Sequence, residues 1–356
     1  MNGTSSSKRA LTSASAPTWI RFFGPRPEAY NRVRPGTKRH LWLSMNKICQ
    51  SPRIRSLTGL FMASLIGVPA AAQSSPPGPA VIDMHVHSTN TSPEAVTSLN
   101  LRYVFLSALY PDLAVWAKTY AGGYMPALVF PCDAGHAPIT GRPCFNTATS
   151  FPDITWLRNE LKSGHIKAFG EISPQYEGIS PQDARFEPYW QLAEEFDIPV
   201  GIHMGPGPPG AAYDSNPVPY KSPAYRMAFG DPLLLEEVLL RHKRLRLFVM
   251  HAGWPRLESM IALLYAHPNV YVDIAALSAE FMVPRASYTF YLRALVDAGF
   301  GKRIMFGSDF PNQEGPGVDA ILKADFLTSA QKADILCNNA ARFLRLPQST
   351  CASDQP

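Results

Sequence analysis

Short apolar runs alternate with longer amphipathic stretches over most of the chain. Ala80–His87, Arg102–Ser107, Met125–Phe130, Ile166–Ile172, Pro199–His203, Leu245–His251, Val270–Ile274 and Arg303–Gly307 are bounded by Gly, Pro or polar turns and read as strands. The stretches Leu113–Tyr120, Asp153–Lys162, Asp183–Phe196, Leu233–His242, Leu257–Ala266, Tyr288–Ala298, Val318–Phe326 and Ala330–Leu344 read as helices. In Asp183–Phe196, for example, Tyr189, Leu192, Ala193 and Phe196 recur at helical spacing. Before Leu233, Asp231 is placed to cap and Pro232 to occupy the first helical position. Strands alternating with helices around one core predict an α/β fold, a (β/α)₈ TIM barrel. An open doubly wound sheet would want a glycine-rich phosphate turn after its first strand. Here Ser-Thr-Asn-Thr-Ser follows, residues 88–92, which favours the barrel.

Charge changes the picture at the N-terminus. The chain of 356 residues carries +5 formally, but residues 1–72 hold eleven Lys/Arg and one acid, Glu28. The remainder keeps 22 of the 33 basic and 27 of the 28 acidic residues, a net −5, so no basic footprint for nucleic acid is expected in the body. Residues 45–72 read as a secretory signal peptide. Lys47, Arg53 and Arg55 precede an apolar segment from Ser56 to Pro69 that is too short to span a bilayer, and Ala70-Ala71-Ala72 supplies small residues for cleavage. Residues 1–44 are Ser-, Pro- and Arg-rich without apolar periodicity, a disordered extension or an over-extended gene start before Met45. Residues 73–356 form the expected single barrel domain, exported to the periplasm or secreted, with no stable membrane anchor after cleavage. A homo-oligomer is an open expectation. Among the five cysteines, Cys132 and Cys144 flank a Gly/Pro-rich loop and are expected to bridge. Cys49 precedes the apolar segment. Cys337 in the last helix and Cys351 in a polar tail are not expected to pair, and no CxxC marks a thiolate metal site.

Candidate chemistry sits at the strand ends. By strict alternation Asp83, His85 and His87 share one face of the first strand, with Asp83 deeper as support. Strand four ends at Glu171, strand five at His203, strand six at His251, and strand eight leads to Asp309. Each is a lone polar group closing an apolar run. In a barrel all would meet at the rim where enzymes of this fold build their sites. Imidazole and carboxylate together suit Zn²⁺, Mn²⁺ or Fe²⁺. Lys167, four residues before Glu171, is a weaker candidate for a carbamylated ligand. Trp254 and Tyr176 follow strand tips and are placed to line a pocket. Lys221, Arg226 and Arg142 are loop cations that a carboxylate substrate would want. His165 falls at the opposite face, His242 and His267 at helix ends facing water or capping carbonyls, and His136 on the surface.

The residues Asp83–His87 (D-x-H-x-H), His203, His251–Gly253 (H-A-G), Gly307–Pro311 (G-S-D-F-P) and Asn339–Leu344 (N-A-A-R-F-L) resemble the amidohydrolase superfamily, in particular the branch that includes aminocarboxymuconate-semialdehyde decarboxylase. The resemblance covers residues 80–346. It implies His85, His87, His203 and Asp309 as ligands of a divalent metal, most simply zinc, with Asp309 also taking a proton from a metal-bound water. It implies His251 as a catalytic histidine or a ligand to a second ion. Glu171 departs from the one-ion decarboxylase pattern and resembles the TatD-like branch, which leaves one or two ions open. The expectation is a metal-dependent hydrolase of a small ester, lactone or amide. A non-oxidative decarboxylase of an aromatic or enoic acid, and a non-catalytic binding barrel, are the alternatives.

Overall fold

The computed structural model describes residues 78–352, apart from 100, 214–220, 310 and 312. The extension and the signal segment, residues 1–72, lie outside the described residues. Eight strands form one sheet in sequential order, each paired in parallel with the next. They are β1 (Ile82–His87), β2 (Tyr103–Ala108), β3 (Tyr124–Phe130), β4 (Ala168–Ile172), β5 (Pro199–His203), β6 (Arg246–Met250), β7 (Val270–Asp273) and β8 (Ile304–Met305). The helices are α1 (Pro93–Thr97), α2 (Tyr110–Thr119), α3 (Ile154–Ser163), α4 (Glu187–Glu195), α5 (Glu236–Arg241), α6 (Leu257–Ala266), α7 (Arg285–Leu295), α8 (Glu314–Leu322), α9 (Ser329–Ala333) and α10 (Asn339–Leu344). Two backbone hydrogen bonds cross from the last strand's extension to the first: Met84 N–H donates to Phe306 O (3.0 Å) and Asp309 N–H to His85 O (2.8 Å). The fold is a (β/α)₈ barrel.

Two apolar layers explain why these strands read as continuous hydrophobic runs: a parallel sheet is buried on both faces. The outer layer packs Val104, Leu106, Val200, Val249 and Val272 against Trp116, Leu157, Trp190, Leu239 and Leu292 of the helices. The lumen holds a separate cluster of Ile82, Met84, Phe105, Phe248, Met250 and Met305, joined by Phe343 and Leu344 of α10. Phe105 and Phe248 meet edge-on across the barrel at 5.1 Å, and Phe343 lies 5.5 Å from Phe248 and 5.0 Å from Tyr271. One end of the barrel is thus packed solid, with α10 as its floor.

Local chemistry sets the helix limits. Asp153 caps α3 by accepting from Trp156 N–H, and Gly164 ends it at φ 77°. Asp231 accepts from Leu233 N–H with Pro232 next, as the sequence implies, but Pro232–Leu235 is a 3₁₀ turn before α5. The stretch 183–196 likewise begins as a 3₁₀ turn ahead of α4, and the last helix is broken between α9 and α10 by a π-turn over Asp334–Asn338.

The strict alternation expected of the first strand is broken. Asp83 pairs with Val104 and Val86 with Leu106, so Met84 and His85 together oppose Phe105. The same device recurs in β4, where Phe169 pairs with Leu128 and Ile172 with Phe130, leaving Gly170 and Glu171 opposite one residue. These are β-bulges, which re-aim side chains next to sites. Asp83 therefore does not share the face of His87; its register partner Val104 belongs to the outer layer.

Cys132 and Cys144 are bridged, as expected. Cys337 and Cys351 are bridged too, which corrects the expectation that they stay apart. Arg345 adopts a left-handed conformation (φ 58°) after α10, the chain reverses, and the short turn Gln348–Cys351 returns to the π-turn that carries Cys337. Other minor expectations are also corrected. Lys167 is exposed and lies before β4, away from the rim. His242 is buried between Glu187 and Glu194 (3.2 and 3.1 Å) rather than facing water, and His267 is buried at the end of α6. His165 precedes β4, at the end of the barrel opposite the strand tips as expected, and meets Glu160.

Candidate active site

The strand tips bring His85, His87, Glu171, His203, His251 and Asp309 into one cluster. His85 Nε2 and His87 Nε2 lie 3.1 Å apart. Asp309 Oδ1 is 3.2 Å from His87 Nε2 and 3.5 Å from His85 Nε2. Glu171 reaches across the cluster. One oxygen is 3.3 Å from His87 Nε2; the other pairs with His203 Nδ1 and stands 3.6 Å from His251 Nε2. His203 Nδ1 and His251 Nε2 are 3.2 Å apart. His203 Nε2 is buried and has no hydrogen-bond partner among the described residues.

Backbone geometry at two of these residues is unusual. His251 and Asp309 take positive φ, 56° and 67°. Non-glycine residues there cost of order 1–3 kcal/mol and persist where surrounding structure imposes them, as at functional sites. Asp83 helps impose it at Asp309. Its Oδ1 accepts from His85 N–H and from Ser308 N–H, both 3.0 Å, which joins β1 to the turn that carries Asp309. Burial pushes the Asp83 carboxyl up to about 7.

Electrostatics follow from crowding histidines and carboxylates out of water. Burial raises the Asp309 carboxyl, but His85, His87 and His251 outweigh it and hold the group down at about 2. Glu171 is held well below the usual carboxylate range: desolvation is opposed and exceeded by His203, with His251 and His85 adding hydrogen bonds. Conversely, burial pulls His85 and His251 down, but the acids reverse it. Asp273, Asp309 and Glu171 raise His85, and Glu171 and Asp309 raise His251. A cation, whether protons or a metal, is what this arrangement favours.

The residues fit a divalent metal. Three groups have ligand atoms close enough to share an ion: His85, His87 and Asp309; Glu171, His203 and His251; and His85, His251 and Asp273. Nitrogen and carboxylate oxygen are the donors that zinc and its neighbours take.

Asp273 is a residue the strand-end argument passes over, although Val-Tyr-Val-Asp-Ile carries the same signal as the other tips, a lone polar group closing an apolar run. It is fully buried. Its Oδ2 lies 3.0 Å from His85 Nδ1, and its Oδ1 accepts from His251 N–H (2.8 Å) and Ala275 N–H (3.0 Å).

Among the expected pocket residues, Tyr176 is placed edge-on to His203, 5.7 Å between rings, and its hydroxyl is pushed well up by burial and by Glu171. Trp254 follows the His251 turn, and its carbonyl closes against Gly205. Arg226 is spent elsewhere: its guanidinium donates to the carbonyls of Pro223 (3.0 Å) and Tyr225 (2.8 Å) in its own loop. Arg142 pairs with Asp112 at 2.5 Å, and Asp112 also accepts from Ser88 Oγ (2.7 Å).

Comparison with known proteins agrees with this fold. Solved structures of similar fold include an uncharacterised TIM-barrel protein from Bordetella bronchiseptica (14% identity, 75% of this chain and 98% of that one, TM-score 0.52). They include 2,6-dihydroxybenzoate decarboxylase in complex with 2,6-dihydroxybenzoate (14%, 76% and 99%, 0.52). A third is an amidohydrolase from Burkholderia multivorans with bound zinc (15%, 75% and 100%, 0.50). No curated protein matches the sequence. A family model described as amidohydrolase matches residues 153–346, more than half of the chain. Together with the barrel and its rim of histidines and carboxylates, that match makes this chain a member of the amidohydrolase family.

Proposed function

We propose that the protein is an exported metal-dependent hydrolase of small esters, lactones or amides. The observation that carries the reading is the convergence of six polar strand-tip residues on one point of the rim. His85, His87, His203, Glu171 and Asp309 would hold the ion or ions, zinc being the best match to the donors. When bound, such an ion supplies Lewis-acid polarisation of a carbonyl and a water of lowered pKa. Asp309 is held ionised and takes the proton of the attacking water, then delivers it to the leaving group. His251 Nδ1 faces the carbonyl of Ala275 at 3.1 Å and so must keep its proton. Only the imidazolium can keep that bond and also donate from Nε2. Its Nε2–H would stabilise the oxyanion as it develops. Tyr176 and Trp254 would line the substrate pocket.

Arg142 and Arg226 are engaged by Asp112 and by loop carbonyls, which favours a neutral substrate over a carboxylate. Decarboxylation is the competing outcome to be tested. Export is supported by the leader pattern and by two disulfides, which persist in oxidising compartments.

The test measures metal per chain on wild type and Glu171→Ala, with turnover of a panel of esters, lactones, amides and aromatic or enoic acids. Metal-dependent cleavage of a neutral substrate supports the reading. Release of carbon dioxide without hydrolysis replaces it with decarboxylation. Bound metal without any turnover leaves a binding barrel, and a metal-free wild type overturns the site.

A further inference from the structure

The tip of β7 carries no ligand in the reading above, yet it touches both histidines that flank the centre. His85 Nδ1 is 3.0 Å from Asp273 Oδ2, and His251 Nδ1 is 3.1 Å from the carbonyl of Ala275. A carbonyl oxygen accepts only, and an ionised carboxylate accepts only. Each ring therefore carries its proton on Nδ1, and the Nε2 atoms face the cluster. We infer that Asp273 is a positioning residue that fixes the tautomer and orientation of His85 for metal binding. The inference rests on the metal-site reading given above.

The other oxygen of Asp273 makes the arrangement one-directional. Oδ1 accepts two backbone N–H groups, from His251 (2.8 Å) and Ala275 (3.0 Å). Backbone N–H groups cannot reverse their role, so this oxygen must remain an acceptor. The carboxylate is thereby locked with Oδ2 toward the His85 ring, and it is fully buried. The bond from His251 N–H ties this left-handed residue to the strand that orients His85. One side chain thus aligns a metal-ligand histidine on β1 with the catalytic histidine after β6.

Asp273→Asn is nearly isosteric and tests this directly. The amide oxygen keeps the two backbone bonds, which leaves the amide NH₂ facing His85 Nδ1. A donor there favours the tautomer with its proton on Nε2, the wrong one for ligation. The expected result is a 10–100-fold loss of zinc affinity, the usual cost of removing a partner that orients a ligand. Affinity is read by competition with a chelator, and folding is checked by circular dichroism without metal. A double-mutant cycle adds a readout that a structural role would not give. In a His85→Ala background, Asp273→Asn should cost no further affinity, because its partner is gone. If Asp273→Asn folds and binds zinc like wild type, or if the two losses simply add, the inference is overturned. If the variant does not fold, long-range ¹H–¹⁵N spectra of the zinc-loaded wild type decide: His85 protonated on Nδ1 supports it, and on Nε2 overturns it. A wild type that binds no zinc refutes the metal site itself, which is a different result from zinc binding that is indifferent to residue 273.

Discussion

The two disulfides close loops of similar size at different places, so they separate stability from function. The bridged residues are 12 positions apart in Cys132–Cys144 and 14 apart in Cys337–Cys351. On the chain-entropy account a loop of this length stabilises the fold by about 3 kcal/mol at 25 °C, and the difference between the two is only about 0.1 kcal/mol. For a domain of this size each kcal/mol moves Tm by about 2–4 °C, so each double Cys→Ala variant should melt roughly 6–12 °C lower. Activity should divide them. Cys132 follows the tip of β3, and Cys144 O accepts from Tyr110 N–H (2.9 Å) just after the tip of β2. That bridge shapes the rim. Cys337 belongs to the π-turn that packs with α10, and its cluster lies at the floor. Calorimetry with and without a reductant, followed by kcat/KM at 25 °C on whichever substrate proves active, measures both quantities. Cys132→Ala/Cys144→Ala should lose stability and at least tenfold in kcat/KM. Cys337→Ala/Cys351→Ala should lose stability alone. A Tm loss below about 2 °C for the second variant, or an equal loss of activity in both, would refute the reasoning.

Three further outcomes are expected. Phe343→Ala removes the ring that meets Phe248 and Tyr271, and should cost about 3–5 kcal/mol in urea unfolding while leaving metal stoichiometry unchanged. Asp309→Asn should retain the fold and lower kcat by at least 100-fold, measured beside metal content; unchanged turnover would remove Asp309 from proton transfer. The pH response should reverse with metal. In chelator, His85 and His251 have raised pKa values, so their stabilising contribution is present below about pH 6.5 and fades as pH rises. Asp83, raised to about 7, acts in the same direction, whereas Asp309, lowered to about 2, stabilises above about pH 4 and loses this toward pH 2. Tm in EDTA should therefore fall from pH 6 to 9, while the increment added by zinc grows, because ligands must shed protons to bind. A zinc increment that shrinks with rising pH would contradict this.

The sequence discloses a residue where a lone polar group ends an apolar run, and that signal located His203, His251 and Asp309 without any pairing information. It does not disclose geometry that depends on a neighbouring strand. The bulges at Met84–His85 and Gly170–Glu171 arise from register with β2, β3 and β5, so strict alternation along the sequence puts Asp83 on the face of His87. Asp273 was legible by the same rule as the others, but a carboxylate inside Val270–Ile274 reads as part of the strand until its partners on β1 and β6 are known. The Cys337–Cys351 pair was illegible for a different reason. It depends on the reversal at Arg345, whose left-handed backbone no glycine or asparagine announces.

The packed floor has a consequence for traffic. Among the described residues Phe248, Phe343, Tyr271 and Met305 fill the lumen below the cluster of histidines and carboxylates, which leaves the rim as its side of approach. Reactant and product must then use a single doorway in turn. A product that lingers at the centre blocks the next arrival, so such a product should act as a competitive inhibitor, with release as the step that loop substitutions at the rim are best placed to alter.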